Sequence, residues 1–433
     1  MTESIWKTNI NIKKFPKLDS NIEVDIAIIG GGMAGLLTAF FLEKENVDYV
    51  LLEGKSIAEG TTCNTTAKIT AQHGLIYSDI INKYGINHAK QYLSANLKAL
   101  DRYKFLCAKI DCDFELKDSY LYSKTDKSKL LNEIESLKVL EYEAEYVKEI
   151  PLPFENVGAV KFKSQAQFNP MKFINNISNK LNIFENTFVE KICNQTIYAN
   201  GYTVKAKKII ITTHFPFINR HGNYFLKMYQ NRSYCIAFED GVNLNGMYMD
   251  EDKKGFSFRN YGNYLIVGGS SHKTGCNGKN INNLRSFINE KYPNSKEKFA
   301  WAAQDCITLD SIPYIGNYSA LTPDLFVATG FNKWGMTSSM VAAELLCDLI
   351  LNKKNENEKL FSPSRTIFHP QLIMNILESG KNLLKFKKPR CSHLGCALNW
   401  NAAEHTWDCP CHGSRFDNNG NVLENPATKN IQP

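Results

Sequence analysis

The sequence feature that most constrains this chain of 433 residues lies near its C-terminal end. Two residue pairs, Cys391-x-His393 and Cys409-x-x-His412, stand there with fifteen residues between them. Two thiolates on one iron and two imidazoles on the other are the ligands of one class of [2Fe–2S] centre. A structural zinc site uses the same donor types, but such sites usually begin with two cysteines about two to four residues apart. The spacing therefore favours an iron–sulfur cluster over zinc.

The residues around these pairs carry a family resemblance. Segment 391–416 reads CSHLGCALNWNAAEHTWDCPCHGSRF, and it resembles the Rieske proteins of respiratory bc-type complexes, in which C-x-H-L-G-C and C-P-C-H-G-S hold the cluster. Ring-hydroxylating oxygenases normally lack the two additional cysteines, so that branch is disfavoured. The resemblance implies four metal ligands and one disulfide between the two cluster loops: Cys391, His393, Cys409 and His412 as ligands, and Cys396 with Cys411 as the bridge.

A second motif lies near the N-terminal end of the chain. The apolar run Val24–Ile29 leads into Gly30–Gly35 (GGGMAG), a G-x-G-x-x-G turn, and a helical pattern follows at once. Glycines let the backbone approach a pyrophosphate, and the helix N-terminus offers free N–H groups. Glu53 ends the next strand, 18 positions after the last glycine, where it can bind ribose hydroxyls. Strand, turn, helix and carboxylate in this order favour a dinucleotide site over an ordinary βαβ unit.

Two further stretches favour FAD over NAD. In segment 58–74, Thr61, Thr62, Thr65 and Thr66 can reach phosphates or the flavin, and 330–337 (GFNKWGMT) opens a helix whose N–H groups would face the flavin. Over about 22–350 the chain resembles FAD-dependent oxidoreductases of the D-amino acid oxidase, glycine oxidase and sarcosine oxidase kind. Some members attach FAD through a His where Asn64 stands here, so the flavin is expected to be non-covalent. The resemblance implies these FAD-binding residues: Gly30, Gly32, Met33, Ala34, Gly35, Glu53, Gly54, Thr61, Thr62, Val189, Thr213, Gly330, Trp334, Gly335, Met336 and Thr337.

The motifs predict an α/β FAD-binding domain (Rossmann-like, glutathione-reductase type), an α+β substrate domain, and a small all-β Rieske cluster-binding domain. The predicted units are a flavoprotein (1–365), a linker helix with a basic end (366–390) and a reduced cluster unit (391–433). Within the flavoprotein, the FAD-binding parts are about 22–90, 150–215 and 300–350, and the substrate or cap parts are about 91–149 and 216–299. Segment 80–150 is predicted to be helical. About 43 residues cannot bury much of a core alone, so the cluster unit is expected to pack on the flavoprotein or a partner subunit.

Composition limits the possible partners. The chain has 51 Lys and Arg against 44 Asp and Glu, a net charge of +7 that is too small to indicate nucleic-acid binding. Neither a signal-peptide pattern nor an apolar run of about 18 residues is present, and eight of the cysteines show no motif spacing. We therefore expect a cytoplasmic protein. The basic end of the linker is interpreted as a docking arm for the acidic cluster unit rather than a membrane contact. The sequence does not indicate whether the chain is a monomer or an oligomer.

Individual polar residues give weaker indications. Arg offers a bidentate fork to a carboxylate, so four residues are candidates for binding the substrate: Arg232, Tyr234, Tyr248 and Arg259. An ordinary role in the sheet is at least as plausible for each of them. His73 is interpreted as a structural hydrogen-bonding residue, and His214 is expected near the nucleotide. No catalytic residue is assigned.

A flavin and a one-electron cluster in one chain predict an oxidoreductase. The expected substrate is a small molecule, an amine or amino acid, that gives a hydride to FAD, and single electrons then pass through the cluster to an unknown redox partner protein or carrier. Two alternatives stay open: electron flow from a reduced carrier to FAD, and a redox sensor or carrier without turnover. A dehydrogenase is favoured over an oxidase, because segment 261–269 lacks the lysine with which some family oxidases activate oxygen.

One departure from the Rieske pattern generates a prediction. In the respiratory proteins a Ser and a Tyr two positions later donate hydrogen bonds to the cluster sulfurs, whereas here Ser414 is followed by Phe416. A ring without a hydroxyl cannot stabilise the reduced, more negative cluster, so the midpoint potential should lie below that of respiratory centres. Phe416→Tyr should raise the midpoint potential in a redox titration. An unchanged or lower value would contradict the assignment.

Overall fold

The computed structural model describes residues 2–8, 10–276, 280–365, 372, 373, 375 and 388–432. The helices are α1 (Met33–Lys44), α2 (Ile76–Tyr84), α3 (Ile86–Cys107), α4 (Lys127–Val139), α5 (Pro170–Ile177), α6 (Tyr224–Lys227), α7 (Ile281–Lys291), α8 (Gly335–Ile350) and α9 (Glu358–Phe361), with 3₁₀ turns at Ile5–Lys7 and Thr61–Asn64. The strands are β1 (Ile22–Ile29), β2 (Tyr49–Leu52), β3 (Lys68–Ile69), β4 (Glu115–Tyr122), β5 (Glu145–Val147), β6 (Ala159–Gln167), β7 (Ile183–Phe184), β8 (Val189–Cys193), β9 (Thr196–Ala199), β10 (Tyr202–Ile211), β11 (Met228–Glu239), β12 (Met247–Asp250), β13 (Ser257–Tyr261), β14 (Tyr264–Lys273), β15 (Lys296–Thr308), β16 (Tyr314–Asn317), β17 (Leu325–Thr329), β18 (Asn399–Asn401), β19 (Thr406–Asp408), β20 (Arg415–Phe416) and β21 (Val422–Glu424).

The first sheet has the strand order β16-β17-β10-β1-β2-β7, and the β8–β9 hairpin extends it from β10. Strands β10, β1, β2, β7 and β17 run parallel. Parallel strands covered on both faces need continuous apolar runs, which explains the sequence of β1. Helix α1 lies close against this sheet. A Cβ on Gly35 would stand only 2.0 Å from the carbonyl oxygen of Gly30. Glycine is required at that point.

The second sheet has the order β15-β11-β14-β13-β12-β4-β6-β3, with β5 paired to β6, and its strands are antiparallel except for β12 and β4. Strands β4 and β5 fall within the segment 80–150, so the prediction of helices there is only partly right. Helices α2 to α4 form as expected, but β4 is drawn into the sheet by its neighbours β6 and β12. Such long-range pairing overrides local helical preference.

The third sheet is a small antiparallel one, ordered β18-β19-β20-β21, and it belongs to the cluster unit. The predicted linker helix, 366–390, falls almost wholly outside the described residues. Among the helices that the structure describes, none combines the length and the apolar character needed to cross a bilayer.

Candidate flavin cavity and iron–sulfur site

A cavity of about 1380 Å³ lies where the first and second sheets meet. Its walls come from the turn Gly30–Ala34, the 3₁₀ turn Thr61–Asn64, the end of β10 and the turn that opens α8. Strands β11, β14 and β15 of the second sheet and residues 422–425 of the cluster unit complete it. The cavity is therefore shared by all three sheets.

The residues expected to bind FAD line this cavity, with two exceptions. Gly35 does not line it, because its role is to let α1 approach Gly30. Thr337 is buried, and its hydroxyl contacts Nε2 of His73 at 2.9 Å and the carbonyl of Thr70 at 3.2 Å. Residue spacing alone does not distinguish residues that line the cavity from residues that lie behind its wall.

The nucleotide end of the cavity is formed by the β1–α1 turn. Glu53 accepts hydrogen bonds from the backbone N–H of Gly31 at 2.7 Å and of Lys55 at 2.8 Å. Burial raises the pKa of its carboxyl group, and these two N–H groups partly offset that effect. A Cβ on Gly32 would meet only the hydroxyl of Thr62, at 3.3 Å. The open helix N-terminus and the carboxylate fit a pyrophosphate and a ribose, so the chain can hold FAD here.

His73 has a partner on each ring nitrogen. Nδ1 lies 2.7 Å from the hydroxyl of Tyr92, and Nε2 lies 2.7 Å from the carbonyl of Thr70. The ring also stacks on Trp334 with 4.8 Å between centroids. Burial lowers the pKa of His73 to about 3, so the ring is neutral at pH 7. These contacts agree with the structural role expected from the sequence.

Two of the proposed carboxylate-binding residues are committed elsewhere. The guanidinium of Arg259 is fully buried and donates to the carbonyls of Thr66 and Ala67 at 2.8 and 2.9 Å. The hydroxyl of Tyr248 donates to the carbonyl of Leu244 at 3.1 Å. Both side chains stabilise the second sheet, so the hypothesis that they bind substrate is wrong.

The cluster unit presents its predicted ligands on two similar turns. The N–H of Gly395 donates to the carbonyl of Cys391 at 2.9 Å, and the N–H of Gly413 donates to the carbonyl of Cys409 at 3.0 Å. Both glycines have positive φ, 76° and 81°, a conformation that glycine adopts without strain. A hydrogen bond with the Cys409 thiol lowers the pKa of Cys391 to about 7. The two turns thus bring the two cysteine ligands together.

The two histidine ligands also meet. The rings of His393 and His412 lie 5.0 Å apart between centroids, at 86°. Nε2 of His393 lies 2.8 Å from Oδ1 of Asn219, so this nitrogen carries the proton and Nδ1 keeps its lone pair. Nδ1 of each ring is buried and has no hydrogen-bond partner within the described ranges. Burial lowers the pKa to about 4 for His393 and about 3 for His412, and neutral imidazoles are what iron requires. The donor set fits a [2Fe–2S] cluster.

The predicted disulfide is not supported. Cys396 and Cys411 both lie within the described residues, and no disulfide joins them. Their sulfur atoms and that of Cys409 lie within 4.8 Å of one another, whereas a disulfide bond is about 2 Å long. The neighbouring Cys409 thiol raises the pKa of Cys396 to about 12, and the Cys411 thiol partly opposes that rise. The three sulfur atoms form one buried group that includes a single predicted ligand.

Ser414 and Phe416 are both fully buried in the cluster unit. The hydroxyl of Ser414 accepts the N–H of Ala427 at 3.0 Å and also forms a hydrogen bond that lowers the pKa of Cys391. The ring of Phe416 packs in the same apolar core as Cys391 and Cys409. One hydroxyl side chain therefore stands beside a predicted ligand, where the respiratory pattern has two.

A buried amide pair holds the cluster unit on the flavoprotein. Gln230 of β11 donates to the carbonyls of His412 and Asn425 at 2.7 and 3.1 Å. Gln304 of β15 donates to Oε1 of Gln230 at 2.7 Å and to the carbonyl of Gly413 at 2.8 Å. A Cβ on Gly413 would stand 2.6 Å from the Gln230 side chain, so the second ligand turn lies directly on this pair.

A buried ion network lies beside the amide pair. Arg232 of β11 binds Glu404 through two hydrogen bonds and Glu424 at 2.8 Å, and the hydroxyl of Tyr234 donates to Glu404 at 3.0 Å. Arg415 binds the same two carboxylates from within the cluster unit. Burial would raise the pKa of Glu404, but the two guanidinium groups outweigh it and lower the pKa to about 2. Arg232 and Tyr234 line the cavity, but their polar groups bind the cluster unit, so the structure does not support the hypothesis that they bind substrate.

One loop touches both sites. Thr212, Thr213 and His214 follow β10 and line the cavity. The next residue, Phe215, is fully buried, and its ring centroid lies 6.3 Å from that of His412 and 6.5 Å from that of His393. We call residues 212–215 the bridging loop. Four consecutive residues therefore connect the cavity to the imidazole side of the cluster unit.

Sequence reasoning did not single out several ionisable residues that line the cavity, among them Lys68, Asp305 and Lys333. Lys333 stands inside the flavin motif GFNKWGMT, and Lys68 interrupts the apolar residues of β3. A charged residue inside a cofactor motif or beside a buried strand is the sequence signal that could have identified these two lysines. Asp305 carries no such signal, because its position depends on the pairing of β15 with β11.

The geometry can now be compared with known proteins. Residues 25–349 match the family model described as FAD dependent oxidoreductase, and 367–433 match the Rieske [2Fe-2S] domain. The Putative Rieske 2Fe-2S iron-sulfur protein YhfW of Bacillus subtilis is 35% identical over 99% of this chain and 97% of that protein. The Cytochrome b6-f complex iron-sulfur subunit 1 of Nostoc sp. is 54% identical over 41 residues, which are 10% of this chain and 23% of that protein.

Solved structures resemble the flavoprotein part. A glycine oxidase from Geobacillus kaustophilus gives a TM-score of 0.68 at 19% identity, over 80% of this chain and 100% of that one. The L-proline dehydrogenase from P. horikoshii gives a TM-score of 0.66 at 16% identity, over 80% of this chain and 98% of that one. The L-amino acid deaminase from Proteus vulgaris gives a TM-score of 0.66 at 14% identity, over 82% of this chain and 100% of that one. Together with the three sheets, these matches confirm the predicted fold class.

The ion network generates a prediction about stability. Arg232→Met leaves the buried carboxylate of Glu404 with one guanidinium fewer, and removing one partner of a buried ion pair costs about 3–5 kcal/mol. The matched control is Arg285→Met, which removes an arginine whose pair with Glu297 is 2.7 Å long but more than a third exposed on both sides. That pair should contribute less than about 1 kcal/mol. Denaturant unfolding of the holoprotein measures both changes, and equal losses would contradict the role given to Arg232.

Proposed function

This chain belongs to the FAD-dependent oxidoreductases and carries a Rieske [2Fe–2S] domain, and from that premise we propose that it is a dehydrogenase for an amine or amino acid. When bound, FAD supplies a two-electron hydride acceptor and the cluster a one-electron carrier. Electrons would leave through the cluster to a protein or small carrier. The oxidoreductase class and both cofactors follow from the family; the substrate and the direction of flow are the proposal.

The bridging loop is the observation that supports internal electron transfer. Its first three residues line the cavity, while Phe215 lies against both predicted histidine ligands. Asn425 of the cluster unit donates to the carbonyls of Thr213 and Phe215, which fixes the loop from the other side. The imidazole side of the cluster unit therefore faces the flavoprotein.

The assignment of residues to cofactors is part of the proposal. Cys391, His393, Cys409 and His412 would hold the cluster, with Asn219 fixing the tautomer of His393. Residues 1–365 would form the flavoprotein and 391–433 the cluster unit. The contacts of Gln230 and Arg232 support a fixed arrangement of the two units.

The choice of an amine or amino acid rests on the relatives. The names of the glycine oxidase, the L-proline dehydrogenase and the L-amino acid deaminases indicate that each acts on an amino acid. This chain shares their fold, and the second sheet walls its cavity as a substrate side would require. We extend that substrate class to the chain.

The choice of a dehydrogenase rests on the docked cluster unit. The sequence argument, that no suitable lysine lies near the flavin, loses its force because Lys68 and Lys333 both line the cavity. A dehydrogenase is supported because the cluster unit, which lies against the bridging loop, can accept electrons in place of oxygen. Oxygen consumption at the rate of substrate oxidation would contradict this choice.

The order of reduction tests the proposal. The holoprotein is mixed anaerobically with a panel of amino acids and simple amines, while the flavin is followed by visible absorption and the reduced cluster by EPR. We expect the flavin to bleach first and the cluster signal to follow. Cluster reduction before the flavin, driven by a reduced carrier, would favour the reverse direction. No reduction by any donor would favour a sensor or carrier.

Two variants sharpen this test. Cys409→Ser should abolish the cluster signal but leave substrate-driven bleaching of the flavin at the wild-type rate, because the hydride acceptor is untouched. Cys193→Ser is the matched control, since Cys193 is an exposed cysteine outside both sites, and it should keep both signals. Loss of flavin bleaching in a folded Cys409→Ser protein that retains FAD would contradict the proposed direction.

A further inference from the structure

Two lysine side chains enter the cavity from different elements. Lys68 lies on β3 and donates to the hydroxyl of Thr66 at 3.2 Å. Lys333 lies in the turn before α8 and donates to the hydroxyl of Ser271 on β14 at 2.7 Å. Neither forms an ion pair with a carboxylate in the described part of the chain, so each ammonium group has only a neutral hydroxyl as its partner.

Both lysines belong to one region of the cavity, around Cys235 on β11. Burial raises the pKa of the Cys235 thiol, and the charges of Lys68 and Lys333 both oppose that rise. A Cβ on Gly268 would stand 3.5 Å from the Cys235 sulfur and 3.6 Å from Thr66. The second sheet therefore supplies the wall next to both ammonium groups, whereas Glu53 and the β1–α1 turn form the nucleotide end on the first sheet.

The charge of Lys68 is costly where it stands, because that side chain is buried, whereas Lys333 is exposed and lines the cavity. Burial lowers the pKa of Lys68 to about 7, with the nearby charge of Arg259 adding to the effect. A buried cation without a counter-charge destabilises a folded protein by several kcal/mol. Such groups are retained where they serve a site.

Asp305 is the carboxylate that acts on Lys333, but it is a weak counter-charge. The two groups form no ion pair, and burial raises the pKa of Asp305 and so favours its neutral form. Two other acidic groups on the second-sheet side are paired elsewhere: Lys124 binds Asp250 at 3.5 Å, and Lys129 binds Glu251 at 3.3 Å. Asp252 also lines the cavity, beside Lys253. Around Cys235, Lys68 and Lys333 thus have no carboxylate in direct contact among the described residues.

We propose that Lys68 and Lys333 form a binding site for a substrate with two anionic groups, an amine that carries two carboxylates. One carboxylate for each lysine would supply the missing partner, and each lysine would donate charge-assisted hydrogen bonds to one carboxylate. This inference rests on the proposed function and narrows its substrate class from amines in general to acidic amino acids and related dicarboxylates.

Binding of unreactive probes to the oxidised holoprotein tests the site without turnover. Succinate, acetate and the neutral succinamide are titrated while the visible spectrum of the flavin reports occupancy. We expect succinate to bind about tenfold or more tightly than acetate, because one additional charged hydrogen bond is worth about 1.5–3 kcal/mol, and succinamide to bind no better than acetate. Equal affinity for succinate and acetate would overturn the proposal.

Substitution of the lysines assigns the effect. Lys68→Met and Lys333→Met should each remove the preference for succinate, with FAD content unchanged. Lys172→Met is the matched control, because Lys172 lies outside the cavity and binds Asp113 at 2.7 Å, and it should keep the preference. Retention of the preference in both lysine variants would overturn the proposal.

Thermal unfolding separates a binding role from a structural one. Without succinate, Lys68→Met should be at least as stable as the wild type, since it removes an uncompensated buried charge, and succinate should stabilise only the wild type and the control. A structural lysine would instead lower stability in every condition. If no amine reduces the flavin but succinate binding still depends on the lysines, the proposed function fails and the site stands. If succinate does not bind but amines reduce the flavin, the lysine site fails and the proposed function stands.

Discussion

Strand β11 is the element on which both sites depend, because it contacts the cluster unit and also lines the cavity. Gln230, Arg232 and Tyr234 bind the cluster unit through their polar groups, and residues 231–235 line the cavity. A slip of one residue in the pairing of β11 would turn Gln230 and Arg232 away from these partners. The continuous register of β11 with β15 from Met228 to Ala237 holds them in place. The relation between cavity and cluster unit is therefore set by ordinary strand geometry.

What the sequence predicted well is local. The G-x-G-x-x-G turn and the two cysteine–histidine pairs are each encoded within a few residues, because a tight turn fixes the positions of its own side chains. Gly395 and Gly413 show this, since each closes a ligand turn by a backbone hydrogen bond that spacing alone prescribes. The position of Glu53 beside the glycine turn could also be predicted, because it ends the next strand along the chain.

What the sequence could not predict is long-range. Arg232 was a candidate for the substrate carboxylate until its partner, Glu404, was found 172 positions away. The same limit applies to Lys68 and Lys333, because a lysine near a motif gives no sign that it lacks a carboxylate partner. The family resemblance implied a disulfide between Cys396 and Cys411, which the structure does not support because no disulfide joins these two cysteines, both of which lie within the described residues. Each of these cases concerns a contact that no local motif encodes.

The burial of the ligands has a consequence for biosynthesis. Cys391, Cys409 and His412 are all at most 2% exposed once the cluster unit is docked. His393 is the predicted ligand that remains partly exposed. We therefore expect iron and sulfide to reach the other three more readily before the cluster unit closes onto β11 than afterwards. A polypeptide that closes early would then acquire its colour slowly at that centre.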